Sequence, residues 1–319
     1  KSLRFNYRGR TNQPSISQLQ NVLDVSNPPY YRIGNPALRQ EFINNFSLVY
    51  NLFNMTKFRN LFAAVTFSNT YNKIVDSVLQ RGFSQYGIPE GGGNQLVIPA
   101  NMNGLYSITG SVNFGFPIKR MKGGNFNATT RINYNRNGNY TNSIRNYIKN
   151  LTLGEDVRLS YNFKEKLDLG IGGSISYTSA QYTIQQNRNT SYYTHIYSAD
   201  VTYQLPKNFI LSSDVDFTTN TGRSDGFNQS YFIWNASFAK QLFKNKRGEL
   251  KLSVNDIMNQ NQSVSRNVGE NYVEDVQNNI LRRYFMLSFT YHLNRMGNRN
   301  IQQMPRMMDR SVRSFRMGQ

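Results

Sequence analysis

The stretch Phe126-Asn127-Ala128-Thr129-Thr130-Arg131-Ile132-Asn133-Tyr134 decides the fold class. Its even-numbered side chains are aromatic, aliphatic or threonine, and its odd-numbered side chains are polar or charged. Successive side chains of a β-strand point to opposite faces, so this alternation predicts a strand with one apolar and one polar face.

The same alternation recurs along the chain and predicts 12 strands. Many of them extend to about ten residues, the length that a tilted membrane strand requires and about twice that of a soluble strand. The predicted strands lie at 3–7, 46–52, 61–67, 106–116, 126–134, 157–163, 167–177, 197–205, 209–217, 234–242, 250–254 and 285–293.

The connections between these strands alternate between short turns and longer loops. Outer-membrane barrels have short turns in the periplasm and long loops outside the cell. Residues 1–293 are therefore predicted to form an antiparallel, all-β transmembrane barrel in the outer membrane of a Gram-negative bacterium. The turns are at 53–58, 117–124, 164–166, 206–208 and 243–248, and the loops are at 12–41, 76–103, 136–148, 184–191, 218–229 and 259–278.

Composition favours this barrel over a soluble β-sandwich, the main competitor. Only 38% of residues are hydrophobic and mean hydropathy is −0.59, yet the chain has 21 Tyr and 21 Phe. Aromatic rings at that frequency are typical of the girdles where a barrel wall meets the two membrane interfaces. The prolines lie outside the predicted strands, as the hydrogen-bonded ladder requires.

Charge and cysteine content exclude other classes of function. The net charge of +19 is scattered over turns and the last residues, so we expect no nucleic-acid partner. The chain has no cysteine, which removes disulfides and thiolate chemistry. Residues 294–319 are basic and lack strand or helix periodicity, which predicts a disordered periplasmic tail.

Two stretches resemble a known family. Gln13-Pro14-Ser15-Ile16-Ser17-Gln18-Leu19, followed by Gly34-Asn35-Pro36-Ala37-Leu38-Arg39-Gln40-Glu41, resembles a loop motif of TonB-dependent receptor barrels, especially the outer-membrane barrel family abundant in the Bacteroidetes. Gln40 stands where the common pattern has Pro. Leu250-Lys251-Leu252-Ser253-Val254-Asn255-Asp256-Ile257 resembles the penultimate strand of that family, and residues 285–293 resemble its closing strand.

The resemblance implies a barrel of 22 strands, of which this chain is the C-terminal portion. It also implies an N-terminal plug domain, energy supplied through TonB, and uptake of a scarce nutrient. Neither a plug nor a TonB box is found within these residues. Two alternatives remain open: a complete 12-strand passive pore or assembly component of an envelope complex, and a surface binding module without transport. Outer-membrane lipid and lipopolysaccharide are expected partners in each case, and a surface lipoprotein is a further candidate partner.

A group of charged residues is predicted to face the lumen. Counting back from the turn at 206–208 places Asp200 opposite Asp214, with Asp216 two residues further along. Like charges across a strand pair are unfavourable, so these carboxylates require a bound cation or substrate, a plug, or pairing with inward arginines. The candidate lumen residues are Arg4, Arg8, Arg131, Arg158, Asp200, Asp214 and Asp216.

The predicted external loops are rich in tyrosine, asparagine and glutamine. Such side chains bind sugars or peptides by stacking and amide hydrogen bonds, although ordinary long loops have a similar composition. The candidate ligand residues are Tyr30, Tyr31, Tyr86, Tyr140, Tyr147, Tyr192 and Tyr193.

No catalytic site, cofactor site or metal site is predicted. The chain has two histidines, with His195 expected on the outward face near the external rim and His292 pointing inward at the opposite end. Neither has a serine or aspartate companion at a suitable spacing, and two separated histidines make a poor metal site.

Overall fold

The computed structural model describes residues 1–293 except 90, 185, 224–227, 244, 262, 269–272 and 279–280. The predicted basic tail at 294–319 lies outside the described residues. Among the described residues, no helix has the length and apolarity needed to cross a membrane.

Twelve strands form one continuous antiparallel sheet, which confirms the predicted fold class. Six further strands complete the numbering in chain order. The strands are β1 (Ser2–Asn12), β2 (Leu23–Asp24), β3 (Tyr30–Ile33), β4 (Glu41–Asn54), β5 (Arg59–Tyr71), β6 (Lys73–Leu79), β7 (Gln95–Met102), β8 (Leu105–Pro117), β9 (Gly124–Thr141), β10 (Ile144–Phe163), β11 (Leu167–Tyr182), β12 (Thr190–Leu205), β13 (Phe209–Thr221), β14 (Ser230–Leu242), β15 (Gly248–Asn255), β16 (Ser263–Val268), β17 (Val273–Asn278) and β18 (Tyr284–Tyr291).

The main sheet runs in the order β1-β4-β5-β8-β9-β10-β11-β12-β13-β14-β15-β18. Each of the 12 predicted strands corresponds to one member of this path. Within the described residues, β1 pairs only with β4 and β18 pairs only with β15, so the sheet does not close into a barrel.

The two faces of the sheet follow the predicted alternation. We call the apolar face, which carries Leu3, Phe5 and Tyr7 on β1, the outer face, and the opposite face the inner face. Two aromatic rows cross the outer face. One row contains Tyr7, Phe46, Phe67, Tyr106 and Tyr134, with ring centroids of neighbours 4.9–6.2 Å apart. The other contains Phe114, Phe116 and Phe126, with ring centroids of neighbours 5.3 and 5.1 Å apart.

The spacing of the two rows fits a membrane. Phe126 and Tyr134 lie on the same face of β9, eight residues apart, which is about 26 Å along a strand. On a strand tilted by about 40°, the rows are roughly 20 Å apart along the membrane normal, close to the aromatic girdle spacing of outer-membrane barrels.

The predicted loop at 136–148 is wrong, because the strands continue through it. β9 and β10 pair as far as Thr141 and Ile144 and are joined by a turn at Asn142 and Ser143. Both turn residues have positive φ, 49° and 66°, which matches the twist of a tight hairpin. β9 and β10 contain 18 and 20 residues, so this hairpin projects beyond the part that spans the membrane.

The predicted loops at 12–41 and 76–103 hold an ordered extracellular layer. β3 pairs in parallel with β7, β7 pairs with β6, and β6 pairs in parallel with the projecting part of β9. The layer has its own core of Ile33, Phe83, Ile88 and Leu96, in which Phe83 and Leu96 are fully buried. The predicted loop at 259–278 likewise contains the hairpin of β16 and β17.

The motif at 13–41 forms the attachment of this layer. Ser15 caps a short helix, α1 (Ile16–Leu19), in a capping box with Gln18. The carbonyl of Gln18 accepts a hydrogen bond from the Asn35 backbone (2.7 Å), and the Asn35 side chain donates to the Pro99 carbonyl (3.0 Å). A side chain at Gly34 would place its Cβ 2.2 Å from the Gln20 carbonyl oxygen, so only glycine fits there.

Pro99 and Pro117 are exceptions to the prediction that prolines avoid strands, because Pro99 lies within β7 and Pro117 is the last residue of β8. β3 pairs with β7 at Leu96 and Val97 but does not extend to Pro99. The N–H group that proline lacks is therefore not needed for a hydrogen bond to β3.

Candidate functional site

The inner face of β9 to β13 carries five of the seven charged residues predicted for the lumen: Arg131, Arg158, Asp200, Asp214 and Asp216. The structure pairs Leu205 with Phe209, Asp200 with Asp214 and Ser198 with Asp216. The predicted register is therefore correct, and the three carboxylates lie on one face of two adjacent strands.

Arg158 of β10 reaches across β11 to pair with Asp200 of β12. Its Nη2 atom donates to the Asp200 Oδ1 atom at 2.6 Å. The Asp200 side chain is 16% exposed and that of Arg158 is 38% exposed, so solvent screens this pair only in part. The structure therefore contains one of the arginine pairings that the sequence suggested.

The pair is possible because the intervening strand presents glycines to it. The register places Gly170 opposite Asp200 and Gly172 opposite Arg158. A Cβ atom at Gly170 would lie 2.3 Å from Arg158 Nη2 and 2.5 Å from Asp200 Oδ1. Any larger residue at this position would displace the ion pair.

A second ion pair lies beside the first on the inner face. The Arg131 guanidinium of β9 donates to the Asp156 carboxylate of β10. The register puts Gly154 opposite Arg131, and the nearest atoms of Arg131 to a Cβ at Gly154 are 3.8 Å away. Arginine and aspartate side chains therefore alternate across the four neighbouring strands β9 to β12, and glycines lie opposite them.

Asp214 is tied to the strand on its other side. Asn235 of β14 donates from Nδ2 to Asp214 Oδ2 at 2.8 Å, and its Oδ1 accepts from the Asp256 backbone at 2.9 Å. The buried Asp256 carboxylate in turn accepts hydrogen bonds from the backbone N–H groups of Gln260 (2.9 Å) and Asn261 (3.0 Å). The inner-face network is therefore connected to the loop after β15.

Charge is unevenly distributed over the inner face. Arg4 and Arg8 lie on the inner face of β1, at the edge of the sheet, opposite Val49 and Asn45. β11, β12 and β13 present Asp168, Asp200, Asp214 and Asp216 on the same face. The inner face is therefore basic at β1 and acidic at β11 to β13. This distribution suits contact with a polar solute or with a charged protein segment.

The seven candidate tyrosines fall into three groups. Tyr30 and Tyr31 lie in β3 and Tyr86 in a 3₁₀ turn, all within the extracellular layer, and Tyr31 and Tyr86 pack against its core. Tyr140 and Tyr147 lie in strands of the projecting hairpin and pack against Val75, Met102 and Leu105.

Tyr192 and Tyr193 belong to β12 and not to a loop. Tyr193 lies on the outer face, 46% exposed, with its ring 4.8 Å from that of Tyr177, so it belongs to the aromatic surface. Tyr192 lies on the inner side, where the Arg223 guanidinium carbon is 4.9 Å from its ring centroid. Tyr30 has the most exposed side chain of the seven tyrosines.

Asp156, Gly170 and Asn235 also belong to the network but were not predicted from the sequence. A signal was present for Asp156, which shares the inward parity of Arg158 two residues away. Gly170 and Asn235 gave no such signal, because their role depends on which residues the neighbouring strands place beside them.

The two histidines lie apart, as predicted. The ring of His195 stacks near that of Tyr193 on the outer face, with centroids 6.2 Å apart. His292 lies just beyond β18, where its backbone N–H donates to the Arg247 carbonyl (2.9 Å). Within the described residues, no three histidine, aspartate or glutamate side chains are grouped closely enough to hold a metal ion.

The chain matches the sequence model of a family described as "Outer membrane protein beta-barrel family", in two overlapping segments, residues 1–145 and 121–291. Together these segments cover most of the 319 residues. No curated protein and no solved structure matches the chain.

Proposed function

The chain belongs to the outer membrane protein β-barrel family, is located in the outer membrane, and, we propose, forms part of the wall of a TonB-dependent-receptor type barrel that takes up a scarce nutrient. The barrel and its location follow from the family. The transport step, the plug and the TonB coupling are our proposal, which rests on the motifs at 13–41 and 250–257 and on the inner face.

The observation that carries the proposal is the unclosed twelve-strand sheet. In lipid, every backbone N–H and C=O group must be paired within the protein, so a membrane sheet has no free edges. β1 and β18 carry apolar outer faces suited to lipid, yet each has an unpaired edge within the described residues. Additional strands between β18 and β1 satisfy those edges, as in a barrel of 22 strands.

The inner face supports a wide, water-filled interior. Many of its side chains are charged or polar, and the pairs Arg158–Asp200 and Arg131–Asp156 keep solvent contact. A wall of this kind contacts a plug domain or a polar solute through exchangeable hydrogen bonds. The acidic group around Asp214 favours a cationic solute or a basic plug surface.

The extracellular layer supports the capture of a ligand before transport. It is an ordered structure with a buried core, and its Tyr30 side chain is exposed. We propose that Tyr30, Tyr31 and Tyr86 form a ligand-contacting surface, and that a surface lipoprotein, where present, docks on this layer.

The test is energised uptake by cells that produce the full-length protein. Depletion of a panel of solutes from the medium is compared between wild-type cells, cells that lack the protein, and wild-type cells treated with a protonophore. A TonB-coupled receptor predicts that deletion and the protonophore abolish depletion of the same solute. Depletion that needs the protein but survives the protonophore contradicts TonB coupling and indicates a passive pore.

The other alternative is a surface binding module without transport. Planar-bilayer conductance of the purified full-length protein distinguishes it from an open pore. A passive pore conducts at once, a plugged receptor conducts only after mild denaturant displaces the plug, and a binding module with a filled lumen conducts in neither state. We propose no enzymatic activity, cofactor or nucleic-acid partner for this chain.

A further inference from the structure

A pair of basic residues lies on the lipid-facing side of the projecting hairpin. Arg136 of β9 is directly opposite Lys149 of β10, and both have the parity of the outer face. The pair Tyr134–Leu151 lies on the same two strands, two positions closer to the membrane than Arg136–Lys149. Tyr134 belongs to the aromatic row at the extracellular end. Arg136 and Lys149 are thus about 7 Å further out than the aromatic row along the strand, at the height of lipid headgroups.

In the described part of the chain, the two positive charges have no acidic partner. Like charges directly opposite each other on a strand pair are destabilising. Among the described residues, neither Arg136 nor Lys149 forms an ion pair, whereas Arg131 and Arg158 on the inner face each have a carboxylate. An anion between the two side chains would relieve the repulsion between their positive charges.

Arg136 is held in place by an aromatic ring. Its guanidinium carbon lies 4.1 Å from the centroid of the Tyr147 ring, within the range of a cation–π interaction. Its Nε atom is buried and has no hydrogen-bond partner, which leaves an unsatisfied donor on a positioned cation. Lys149 is exposed beside it, and Arg145, also exposed, lies further along the same face.

Positive charge is scarce on most of the described rim; outside the hairpin, Arg282 and Arg283 directly precede β18. On β1, β4, β5 and on β11 to β14, the described outer-face residues near the extracellular end are uncharged. They include Thr11, Asn44, Asn69, Gln181, Ser191, Thr219 and Ser230. The basic pair is therefore a local feature and not a general property of the rim.

We propose that Arg136 and Lys149 bind the phosphate groups of a glycolipid in the outer leaflet. Guanidinium groups bind phosphate oxygens with two parallel hydrogen bonds, and a lysine ammonium adds a point charge. The pair faces the lipid and not the lumen, so the bound anion belongs to a molecule of the membrane. This site is independent of transport, and its test does not depend on the uptake experiment.

The test measures binding of bisphosphorylated lipid A, presented in neutral detergent micelles, to the full-length protein. The variant Arg136→Gln/Lys149→Gln is compared with the wild type. Each basic residue near an anionic membrane surface contributes about 1 kcal/mol, a factor of about five, so the double variant is expected to bind roughly 30-fold more weakly. Enzymatically dephosphorylated lipid A is expected to bind the wild type as weakly as the phosphorylated lipid binds the variant.

Two control variants make the result specific. Arg136→Lys/Lys149→Arg keeps both charges and is expected to keep most of the affinity. Lys240→Gln removes an outer-face lysine at the opposite membrane interface, where Lys240 Nζ lies 4.7 Å from the Phe209 ring centroid, and is expected to leave binding unchanged. Lys149→Gln alone removes only an exposed side chain, so it reports on the site even if the double variant folds poorly.

Three outcomes would overturn the proposal. Unchanged affinity of both the double and the single variant places the lipid elsewhere. An equal loss on Lys240→Gln indicates a general charge effect. Displacement of the lipid by inorganic phosphate at equal concentration assigns the site to a soluble anion and not to a glycolipid.

Discussion

At the scale of single residues, glycine determines the charge network of the inner face. Arg158 and Asp200 meet across a strand that separates them, and Gly170 leaves the space in which their side chains approach to 2.6 Å. Gly173 lies on the opposite face of the same strand, where a Cβ would meet only the Tyr197 ring at 3.9 Å.

We predict that Gly170→Ala lowers the free energy of unfolding by about 1–2 kcal/mol, because the new methyl group displaces the Arg158–Asp200 pair. Gly173→Ala is the matched control and is expected to change it by less than about 0.5 kcal/mol. Urea unfolding of the full-length protein in lipid vesicles measures both. In a double-mutant cycle, Gly170→Ala and Asp200→Asn should be non-additive, since both remove the same pair; simple additivity would contradict the assignment.

Glu155 is a second decisive residue, because it places a carboxyl group on the apolar outer face. It lies between Leu153 and Val157 on β10 and accepts a hydrogen bond from Thr130 Oγ1 at 2.6 Å. A charged side chain on the lipid face of a barrel destabilises it, by an amount that depends on depth in the bilayer.

We therefore predict that Glu155→Leu combined with Thr130→Val raises the free energy of unfolding in lipid vesicles by about 1 kcal/mol. The second substitution avoids leaving a hydroxyl without its acceptor. Asp156→Leu, one residue away on the inner face, is the control and is expected to lower stability by about 1 kcal/mol, because Arg131 loses its carboxylate. If both changes stabilise the protein, the assignment of the two faces is incorrect.

At the scale of elements, the strands and the extracellular layer depend on different kinds of contact. Strand pairs of the sheet are joined in sequence order, so each needs only its neighbour. The layer instead uses contacts between distant segments, such as Asn35 with Pro99 and the side chain of Asn101 with the Arg39 backbone. Its ordering therefore rests on a few anchoring residues.

We predict that Gly34→Ala releases the segment 12–41 from the layer while the membrane sheet stays intact, since a Cβ there collides with the Gln20 backbone. Limited proteolysis of the full-length protein in outer membranes is expected to cleave within this segment at least about tenfold faster, because a loss of 1.4 kcal/mol in local stability increases the open population tenfold. Ala37→Ser, at an exposed position in the same segment, is the control. Equal cleavage of both variants would show that Gly34 is not an anchor.

At the scale of the whole molecule, the free edges of β1 and β18 determine what kind of barrel this is. If 12 strands close on themselves, the inner-face residues of β1 and β18 lie side by side. In a larger barrel they are separated by other strands. The chain has no cysteine, so introduced cysteines report on this distance without background from these residues.

We predict that no disulfide forms when Asn6→Cys is combined in turn with Met286→Cys, Ser288→Cys or Thr290→Cys in the full-length protein. A pair of cysteines is bridged only when their Cα atoms lie within about 7 Å. Non-reducing electrophoresis after mild oxidation is the measurement, and the adjacent pair Asn6→Cys with Ser47→Cys, which the register places opposite each other, is the positive control. A disulfide between β1 and β18 would support a complete 12-strand barrel and contradict a larger barrel.

The sequence alone determined the twelve strands, their faces and the register at the turn 206–208. These features depend on local chemistry: lipid on one side and water on the other impose a period of two, and short turns pair each strand with the next. This is why the position of Asp200 opposite Asp214 was predictable from the sequence.

The tertiary structure alone decided the features that lie above the membrane or between distant segments. Outside the bilayer no apolar face is required, so apolar and polar residues do not alternate between Asn137 and Asn146. For this reason the sequence predicted a loop there. Three features depend on which segments the fold brings together: the extracellular layer, the position of Gly170 next to the Arg158 side chain, and the pairing of Arg136 with Lys149. Such contacts join residues far apart in the chain, and no local pattern records them.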